Sequence, residues 1–410
     1  MMKEMNGSSY LRNFGSKGKL QDINGICCTL TSAMGTGGGN VPLIEIQKET
    51  KGEIEKMRII ELFGGIGACT QALKSLLTEG GKFLEIVDYV EIDKYAVKSY
   101  NAINETNFQP QDITKWNKHF DGIDLIMHGS PCQDFSLAGK QAGGDKDSGT
   151  RSSLMYETIR IVSDIKPKYV VWENVKNLLS KNHRHNFGAY LTSMEELGYK
   201  NYYQVLNAKD YGIPQNRERV FTISIRNDIE KTFEFPKPFE LTKKLKDLLE
   251  DEVDDKYYLS DKMIDYISAN NEKWTGNNNK AIINSTIATT INTGEGHRRC
   301  DASNYICDEA PENYDLKQNN ESEIKDIAPT QSTFCGSTTS SATVLNAESK
   351  SNLRIRKLTP KECWRLMGFS DEAFNKASEF NSNAQLYKQA GNSIVVNVLY
   401  EILKNLTKEQ

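Results

Sequence analysis

The chain has 410 residues, of which 38% are hydrophobic and 26% are charged, values typical of a soluble globular protein with room for two domains. Its net charge of -4 at pH 7 argues against a protein that coats nucleic acid without sequence preference, so any nucleic-acid contact is expected to use local basic patches. No apolar run approaches the roughly 18 residues of a membrane span, the first residues lack the apolar core of a signal peptide, and the eight cysteines form no CxxC pair, so we expect a cytoplasmic protein without a membrane segment or a metal site.

Residues 1–56 are polar and rich in glycine. Within them, residues 25–44 predict a short strand, a glycine loop and a second short strand. Threonine-rich strands followed by glycine recur at residues 287–296 and 327–336, which indicates either a weak internal repeat or merely shared composition. We predict an N-terminal extension that either packs on a smaller domain or is nonessential, with Met57 as a second start.

Strands and helices alternate from residue 57 onward. Apolar runs predict strands at residues 58–63, 86–91, 124–128, 168–174, 202–206 and 219–225. Helical spacing predicts helices at residues 68–77, after residue 94, near 154–165 and near 187–197. This order predicts an α/β fold, with a doubly wound, mostly parallel sheet in a catalytic domain over residues 57–243.

The alternation ends in the second half of the chain. Residues 244–355 are rich in Asn, Ser, Thr and acidic residues, which predicts a second, smaller, loop-rich domain. Thr359, followed by proline, predicts a helix start inside a connecting segment over residues 356–384. Residues 385–410 are expected to return to the catalytic domain, with a glycine turn at Gly391 leading into an apolar helix.

Residues suited to chemistry follow four of the predicted strands. They are the turn from Phe63 to Gly67, Glu91, Cys132 and Glu173. Ligands of open α/β sheets bind outside the carboxyl ends of the strands, so these residues are expected to share one crevice. The glycine turn, together with an acid that can accept hydrogen bonds from a ribose, indicates an adenosine-type cofactor. A nicotinamide dinucleotide is disfavoured, because Thr70 stands where the third glycine of G-x-G-x-x-G belongs.

Cys132 follows a predicted strand that stops at a Gly-Ser-Pro turn. A cysteine there is either a nucleophile or a small core residue, which is the common fate of a free thiol. Cys132 and Glu173 together suggest covalent chemistry with proton assistance. Arg217 and Arg219 share one face of a predicted strand and are candidates for lowering the pKa of the thiol; the alternative is that they lie on a solvated edge.

Six motifs in a fixed order carry a family resemblance. They are Phe63-Gly-Gly-Ile-Gly67, Gly129-Ser-Pro-Cys132-Gln, Glu173-Asn-Val175, Gln215-Asn-Arg-Glu-Arg219, Arg356-Lys-Leu-Thr-Pro-Lys-Glu362 and Gly391-Asn-Ser393. With them the chain resembles the bacterial cytosine-5 DNA methyltransferases of restriction–modification systems and phages, over residues 57 to about 240 and about 353 to 405. It departs from that family in the 56 residues before Met57 and in Ala138, a loop position that is often polar in the family.

The resemblance implies a mechanism and a cofactor. The thiolate of Cys132 would add to C6 of cytosine, Glu173 would hydrogen-bond N3, and Arg219 would hold O2, with Arg217 in support. S-adenosylmethionine would supply the methyl group for C5, and S-adenosylhomocysteine would be the product. The implied cofactor contacts are Phe63, Gly65, Ile66, Gly67, Glu91, Ile92, Asp112, Ile113, Gly129, Pro131, Leu154, Asn392 and Ser393.

The resemblance also implies double-stranded DNA as substrate, with the target cytosine flipped out of the duplex. Residues 244–355 would be the target-recognition domain, and the glycine-rich residues 136–151 would close over the base. Expected DNA contacts are Gln133, Ser136, Arg151, Arg298, Arg299 and Arg356. The last of these lies in a basic run over residues 350–365 that is expected to face phosphates.

Two other functions stay open at this point. One is an RNA cytosine methyltransferase on the same fold, which the sizeable region 244–355 disfavours. The other is a catalytically silent DNA-binding regulator, which the intact Cys132, Glu173 and arginine pair disfavour. We expect a monomer, with any cognate restriction endonuclease acting separately.

Overall fold

The computed structural model describes residues 10–13, 20–22, 42–44, 56–79, 83–131, 154–262, 264, 282–293, 304–307, 314–315 and 354–408. The chain divides into two compact units, Met1–Glu55 and Lys56–Gln410. In the first unit, β1 (Tyr10–Asn13) pairs antiparallel with both β2 (Leu20–Asp22) and β3 (Pro42–Ile44).

Six strands form the central sheet of the second unit. They are β4 (Lys56–Leu62), β5 (Phe83–Val90), β6 (Leu125–His128), β7 (Tyr169–Val175), β8 (Tyr199–Asn207) and β9 (Glu218–Arg226). The spatial order is β5-β4-β6-β7-β9-β8, in which the first four strands are parallel and the last two are antiparallel to their neighbours. The predicted doubly wound, mostly parallel sheet is confirmed. Its strand order reverses between β4 and β6, which is where such sheets bind ligands.

Helices cover both faces of this sheet. They are α1 (Ala68–Glu79), α2 (Lys94–Asn104), α3 (Met155–Ile165), α4 (Arg184–Glu196), α5 (Pro360–Arg365), α6 (Asp371–Ser378), α7 (Asn383–Asn392) and α8 (Val396–Thr407). Because neighbouring residues of a strand point to opposite faces, Ile59 packs in one core with α1 and α8, whereas Ile60 packs in the other with α3 and α4. The chain's last helix therefore completes the core that its first helix begins.

A small sheet lies in the second half of the chain. Its strands are β10 (Ile282–Ile283), β11 (Tyr305–Ile306), β12 (Tyr314–Asp315) and β13 (Arg356–Lys357), in the order β12-β10-β11-β13. A bridge between Gln215 and Ala288 joins the segment after β10 to the loop between β8 and β9 of the central sheet. Backbone bonds run from Ala288 N to Pro214 O at 2.8 Å and from Asn216 N to Ala288 O at 2.8 Å.

The predicted glycine turn at Gly391 is wrong, because this residue lies in the last turn of α7, which continues to Asn392. The glycine is required for a different reason. A Cβ at this position would lie 2.4 Å from the carbonyl carbon of Asn292 and 2.4 Å from the amide nitrogen of Thr293, so the two backbones could not approach as they do. Gly391 thus fixes the contact between α7 and residues 292–293.

Arg356 is withdrawn from the expected DNA contacts. Its side chain is buried, and its guanidinium forms two 2.9 Å hydrogen bonds with the fully buried carboxylate of Glu362. Glu362 in turn accepts the amide of Thr359 at 2.7 Å, which begins α5 in a capping box. The sequence pattern showed a basic run, but the charge is used inside the protein.

Replacement of Arg356 by methionine is expected to lower the free energy of unfolding by about 3 kcal/mol, because it leaves the buried carboxylate of Glu362 without its cation. Urea denaturation measures the loss. Arg354→Met is the matched control, since Arg354 is exposed and pairs with the exposed Asp255, and its loss should stay below about 1 kcal/mol. A variant of Arg356 that keeps wild-type stability but binds DNA weakly would restore the phosphate contact.

Candidate active site at the carboxyl ends of the central strands

The turn between β4 and α1 opens toward the strand ends. Phe63 has a φ of 54°, a left-handed conformation that is uncommon for a residue with a bulky side chain. Strained backbone conformations of this kind cluster at functional sites. Gly65 follows with a φ of 55°, and a Cβ placed on it would meet no atom within 4 Å. The hydroxyl of Tyr89 donates to the carbonyl of Gly65 at 2.5 Å and fixes the turn from behind. The backbone at Gly65 is therefore rigid and accessible to a ligand.

Glu91 lies directly after β5 and faces this turn. Its carboxylate accepts the amide of Gly65 at 3.1 Å and the amide of Asp93 at 2.8 Å, one on each oxygen. Desolvation raises the pKa of Glu91 above its usual value, although both amides oppose the shift. Each oxygen keeps a further lone pair, which suits it to accept hydrogen bonds from two neighbouring hydroxyl groups. Ile92 beside it is 67% exposed, an apolar surface next to the same carboxylate.

Residues 111–113 lie against the end of β5. The amide of Gln111 donates to the carbonyl of Glu91 at 2.8 Å, which brings the neighbouring Asp112 close to Glu91. Asp112 caps a short helix by accepting the amide of Thr114 at 3.0 Å. The side chain of Ile113 is buried in the core, and its contact with adenine stays a prediction.

Glu173 and Arg219 form an ion pair at the end of β7. Arg219 Nε lies 3.1 Å from Glu173 Oε1, and both side chains are largely buried. The pairing is possible because β7 and β9 are antiparallel, with Val175 opposite Arg219 and Glu173 opposite Phe221. Desolvation raises the pKa of Glu173 even though Arg219 and then Arg217 oppose the shift. The carboxyl group can thus hold a proton more readily than an exposed glutamate.

Arg217 ties three segments together and does not lie on a solvated edge. It is 4% exposed. Its Nη1 donates to the carbonyl of Ile291 at 2.8 Å, and its Nη2 donates to the carbonyls of Gly391 at 3.1 Å and Ser393 at 2.8 Å. Gln215 reinforces the first link, because its Oε1 accepts the amide of Ile291 at 3.1 Å. Arg217 is therefore a positioning residue whose two Nη atoms donate to backbone carbonyls.

Ser130 holds the segment that leads to Cys132. Trp172 donates its indole N–H to Ser130 Oγ at 3.0 Å, and the side-chain amide of Asn174 donates to the carbonyl of Ser130 at 3.4 Å. A Cβ on the preceding Gly129 would lie 3.8 Å from Glu173 Oε2. The chain just before Cys132 is thus fixed to the strand that carries Glu173. The sequence analysis missed this link. Its only signal in the sequence is a serine just after one predicted strand and a tryptophan within the next predicted strand.

The other predicted residues divide into two groups. Leu154 begins α3 and is partly buried against its core, and Asn392 and Ser393 end α7. Pro131 is the last described residue before a gap. Outside the described residues lie Cys132, Gln133, Ser136, the segment 136–151 with Arg151, and Arg298 and Arg299. The described site therefore contains Glu173, both arginines and the proposed cofactor crevice.

Glu61 lies beneath the glycine turn and gives the fold a pH dependence. It is 1% exposed, accepts the amide of Thr70 at 2.6 Å, and has its pKa raised by burial to about 7. The folded state thus binds the proton more tightly than the unfolded state, whose glutamate pKa is about 4.3. The stabilisation that protonated Glu61 provides is complete at a pH below the pKa of the unfolded state. It is lost as the pH rises through the pKa of the folded state.

Glu61→Gln is expected to remove this pH dependence, because the amide stays neutral while its oxygen can still accept from Thr70. Between pH 5 and 8 the wild type should lose on the order of 3 kcal/mol more unfolding free energy than the variant. Urea denaturation at both values measures the difference. Glu85→Gln, at a half-exposed position on β5, should behave as the wild type does. Equal slopes for wild type and Glu61→Gln would contradict the assignment.

The fold and the site define a class of protein. It is an α/β protein with a glycine turn and an acid at the switch point of a doubly wound sheet, and with a buried, arginine-paired carboxyl group at the end of a neighbouring strand. Among the described residues, no helix is long and apolar enough to cross a membrane. Within the same residues, no cluster of His, Cys, Asp or Glu is arranged to hold a metal ion.

Comparison with known proteins places the chain within this class. Residues 57–408 match the profile of C-5 cytosine-specific DNA methylases, and the chain belongs to that family of DNA (cytosine-5-)-methyltransferases. It is 39% identical over 315 residues to the type II methyltransferase M2.ScrFI of Lactococcus lactis subsp. cremoris, covering 77% of this chain and 75% of that protein. It is 35% identical over 369 residues to the type II methyltransferase M.HhaI of Haemophilus parahaemolyticus, covering 89% and 97%.

A phage protein shows the same family relationship, and a solved structure shows the same fold. The orphan methyltransferase M.SPRI of Bacillus phage SPR is 32% identical over 435 residues, covering 86% of this chain and 97% of that protein. The crystal structure of a Spodoptera frugiperda DNMT2 mutant has a TM-score of 0.62 at 22% identity, covering 86% of this chain and 100% of that one. That likeness shows the fold. The predicted family membership is confirmed.

Proposed function

We propose that the protein transfers a methyl group from S-adenosylmethionine to C5 of a cytosine flipped out of double-stranded DNA, through a covalent bond between Cys132 and C6. The observation that carries this proposal is the buried Glu173–Arg219 pair beside Gly129, three residues before Cys132. A carboxyl group with a raised pKa can donate to N3 of the base, and the guanidinium can hold O2. The arrangement matches the polarity of one edge of cytosine.

The proposed reaction combines covalent steps at two carbon atoms of the base with hydrogen bonding and proton transfer. Cys132, as thiolate, adds to C6, while Glu173 donates a hydrogen bond to N3 and stabilises the enamine that forms. S-adenosylmethionine, when bound, supplies an electrophilic methyl group for C5. Loss of the C5 proton to a base and expulsion of the Cys132 thiolate then restore the aromatic ring. Arg219 holds the base throughout, and Arg217 keeps residues 391–393 in place.

The crevice residues fit S-adenosylmethionine. Glu91 presents two carboxylate oxygens that can accept from the ribose hydroxyls, and Gly65 leaves open space for close approach of the ligand. Ile92 offers an exposed apolar side chain for the adenine, and Gln111, which precedes Asp112, bonds the carbonyl of Glu91. The proposed cofactor set further includes Phe63, Ile66, Gly67, Ile113 through its backbone, Gly129, Pro131, Leu154, Asn392 and Ser393.

The domain organisation is part of the proposal. Residues 57–243 form the catalytic domain, 244–355 the target-recognition domain, 356–384 a connecting segment, and 385–410 the return to the catalytic domain. The packing of α8 with α1 in one core supports the last assignment. Arg298 and Arg299 stay predicted DNA contacts, as do Gln133, Ser136 and Arg151. A monomer that acts separately from any restriction endonuclease is the simplest arrangement, and residues 1–56 are an extension whose role a deletion would test.

Bisulfite sequencing of DNA from a host that expresses the protein tests the function. Protected cytosines in one short sequence context, absent from a host that expresses Cys132→Ala, are the expected result. Purified protein should also label duplex DNA with the methyl group of radioactive S-adenosylmethionine. Labelling of tRNA with no labelling of DNA would overturn the choice of substrate. Specific DNA binding without labelling would favour a silent regulator.

A further inference from the structure

Asp88 is a buried acid in β5, the strand that leads to Glu91. It is 2% exposed, and its carboxylate accepts from four donors. Oδ1 accepts the Gln111 side-chain amide at 3.0 Å and the Tyr89 amide at 2.9 Å. Oδ2 accepts the indole N–H of Trp116 at 2.8 Å and the ammonium of Lys118 at 2.8 Å. A carboxylate with this many partners is fully satisfied and holds its neighbours in place.

A bulge in β5 aims this side chain. The register with β4 shifts between Ile59 and Ile60, because Ile59 pairs with Ile86 while Ile60 pairs with Asp88. One extra residue, Val87, is thus inserted into β5. Bulges break the alternation of faces and redirect a side chain. Accordingly, Val87 packs in the core that contains Trp116, and Asp88 bonds that same tryptophan.

The partners of Asp88 frame the adenosine end of the crevice. Gln111 and Trp116 stand on either side of Asp112 and Ile113. Gln111 is also fixed by its side chain to the carbonyl of Tyr89 at 2.7 Å and by its amide to the carbonyl of Glu91 at 2.8 Å. The end of β5 that carries Glu91 and residues 111–116 are therefore held together by the Asp88 carboxylate and by these two backbone carbonyls.

We infer that Asp88 is a positioning residue for the cofactor, which it serves by fixing residues 111–116 against Glu91. The inference rests on the proposed use of S-adenosylmethionine. It assigns to Asp88 no contact with the cofactor and no part in the transfer itself. Its removal should thus weaken cofactor binding while leaving DNA binding and the transfer step largely intact.

Asp124 provides a matched control. It precedes β6, at the opposite end of the strands from the crevice, and is likewise largely buried. Its carboxylate accepts the amide of Arg58 at 2.8 Å and pairs with the ammonium of Lys168 at 2.7 Å. Asp124→Asn removes a comparable partnered charge from the same sheet. Any general loss of stability should therefore affect both variants.

The test is calorimetric titration of S-adenosylhomocysteine into the full-length wild type, Asp88→Asn, Trp116→Phe and Asp124→Asn. Asp88→Asn should raise the dissociation constant about tenfold or more, because it weakens charge-assisted hydrogen bonds at the adenosine end. Trp116→Phe, which removes one of the donors, should raise it severalfold, and Asp124→Asn should leave it within about twofold. In steady-state assays, Asp88→Asn should raise KM for S-adenosylmethionine, with kcat and KM for DNA near wild type.

Binding within twofold of wild type for a folded Asp88→Asn would overturn the inference, as would an equal loss in Asp124→Asn. If Asp88→Asn does not fold, Trp116→Phe decides by the same titration, and wild-type affinity in that variant overturns the inference. A wild type that binds no S-adenosylhomocysteine would instead refute the proposed cofactor. The two failures are thus distinguishable, since one concerns the variants and the other concerns the wild type.

Discussion

Replacement of Cys132 by alanine is expected to abolish methyl transfer and to leave binding of S-adenosylhomocysteine unchanged. In the proposed reaction no other group can form the bond to C6, and without that bond C5 of cytosine is a poor nucleophile. Loss of the nucleophile in covalent catalysis removes the intermediate entirely. Turnover should fall by at least about 10⁴-fold, roughly the loss seen when covalent machinery is removed from other enzymes.

The measurement is a denaturation-stable adduct with duplex DNA that contains 5-fluorocytosine. The wild type should form it in the presence of S-adenosylmethionine, because fluorine at C5 cannot leave as a proton does. Cys363→Ala is the matched control. Cys363 is fully buried in α5, where alanine is a good helix former, so this variant should trap the adduct as the wild type does. An adduct that persists in Cys132→Ala would assign the nucleophile to another residue.

Local patterns predicted the elements that carry the site. Apolar residues that lead up to Phe63, Glu91 and Glu173 predicted strands β4, β5 and β7, and in each strand the part next to these residues is buried in the structure. Parallel packing then placed their ends along one edge of the sheet. The convergence of these strand ends at one edge of the sheet could thus be predicted from the sequence alone.

Contacts across distant segments could not be predicted in the same way. Arg356 stands in a basic run, and only the folded chain shows that Glu362 neutralises it. Gly391 looked like a turn, yet its role is to admit the backbone of residues 292–293. The link from Trp172 to Ser130 depends on the pairing of His128 with Trp172 in neighbouring strands. Each of these depends on a partner that local periodicity does not identify.

Glu173→Gln is expected to lower kcat by roughly 10²- to 10⁴-fold, the usual contribution of a positioned acid. The amide can still approach N3, but it cannot share a proton with the base as the carboxyl group does. Methyl transfer under single-turnover conditions measures the loss. Glu218→Gln is the control, since Glu218 is exposed, precedes Arg219 in β9 and pairs with Lys176 at 2.9 Å. That variant should retain wild-type turnover within about twofold.

The pH profile separates an acid at Glu173 from a merely structural carboxylate. Desolvation raises the pKa of Glu173, so the protonated form, which would donate to N3 in the proposed reaction, persists to higher pH than in an exposed glutamate. Wild-type turnover should follow a bell-shaped pH profile. The acidic limb rises as Cys132 ionises, and the alkaline limb falls as Glu173 loses its proton. Glu173→Gln should lose this alkaline fall and keep the rising limb, because the amide does not titrate. An unchanged alkaline fall in the variant would show that another group sets it, and that Glu173 serves only to hold Arg219 in place.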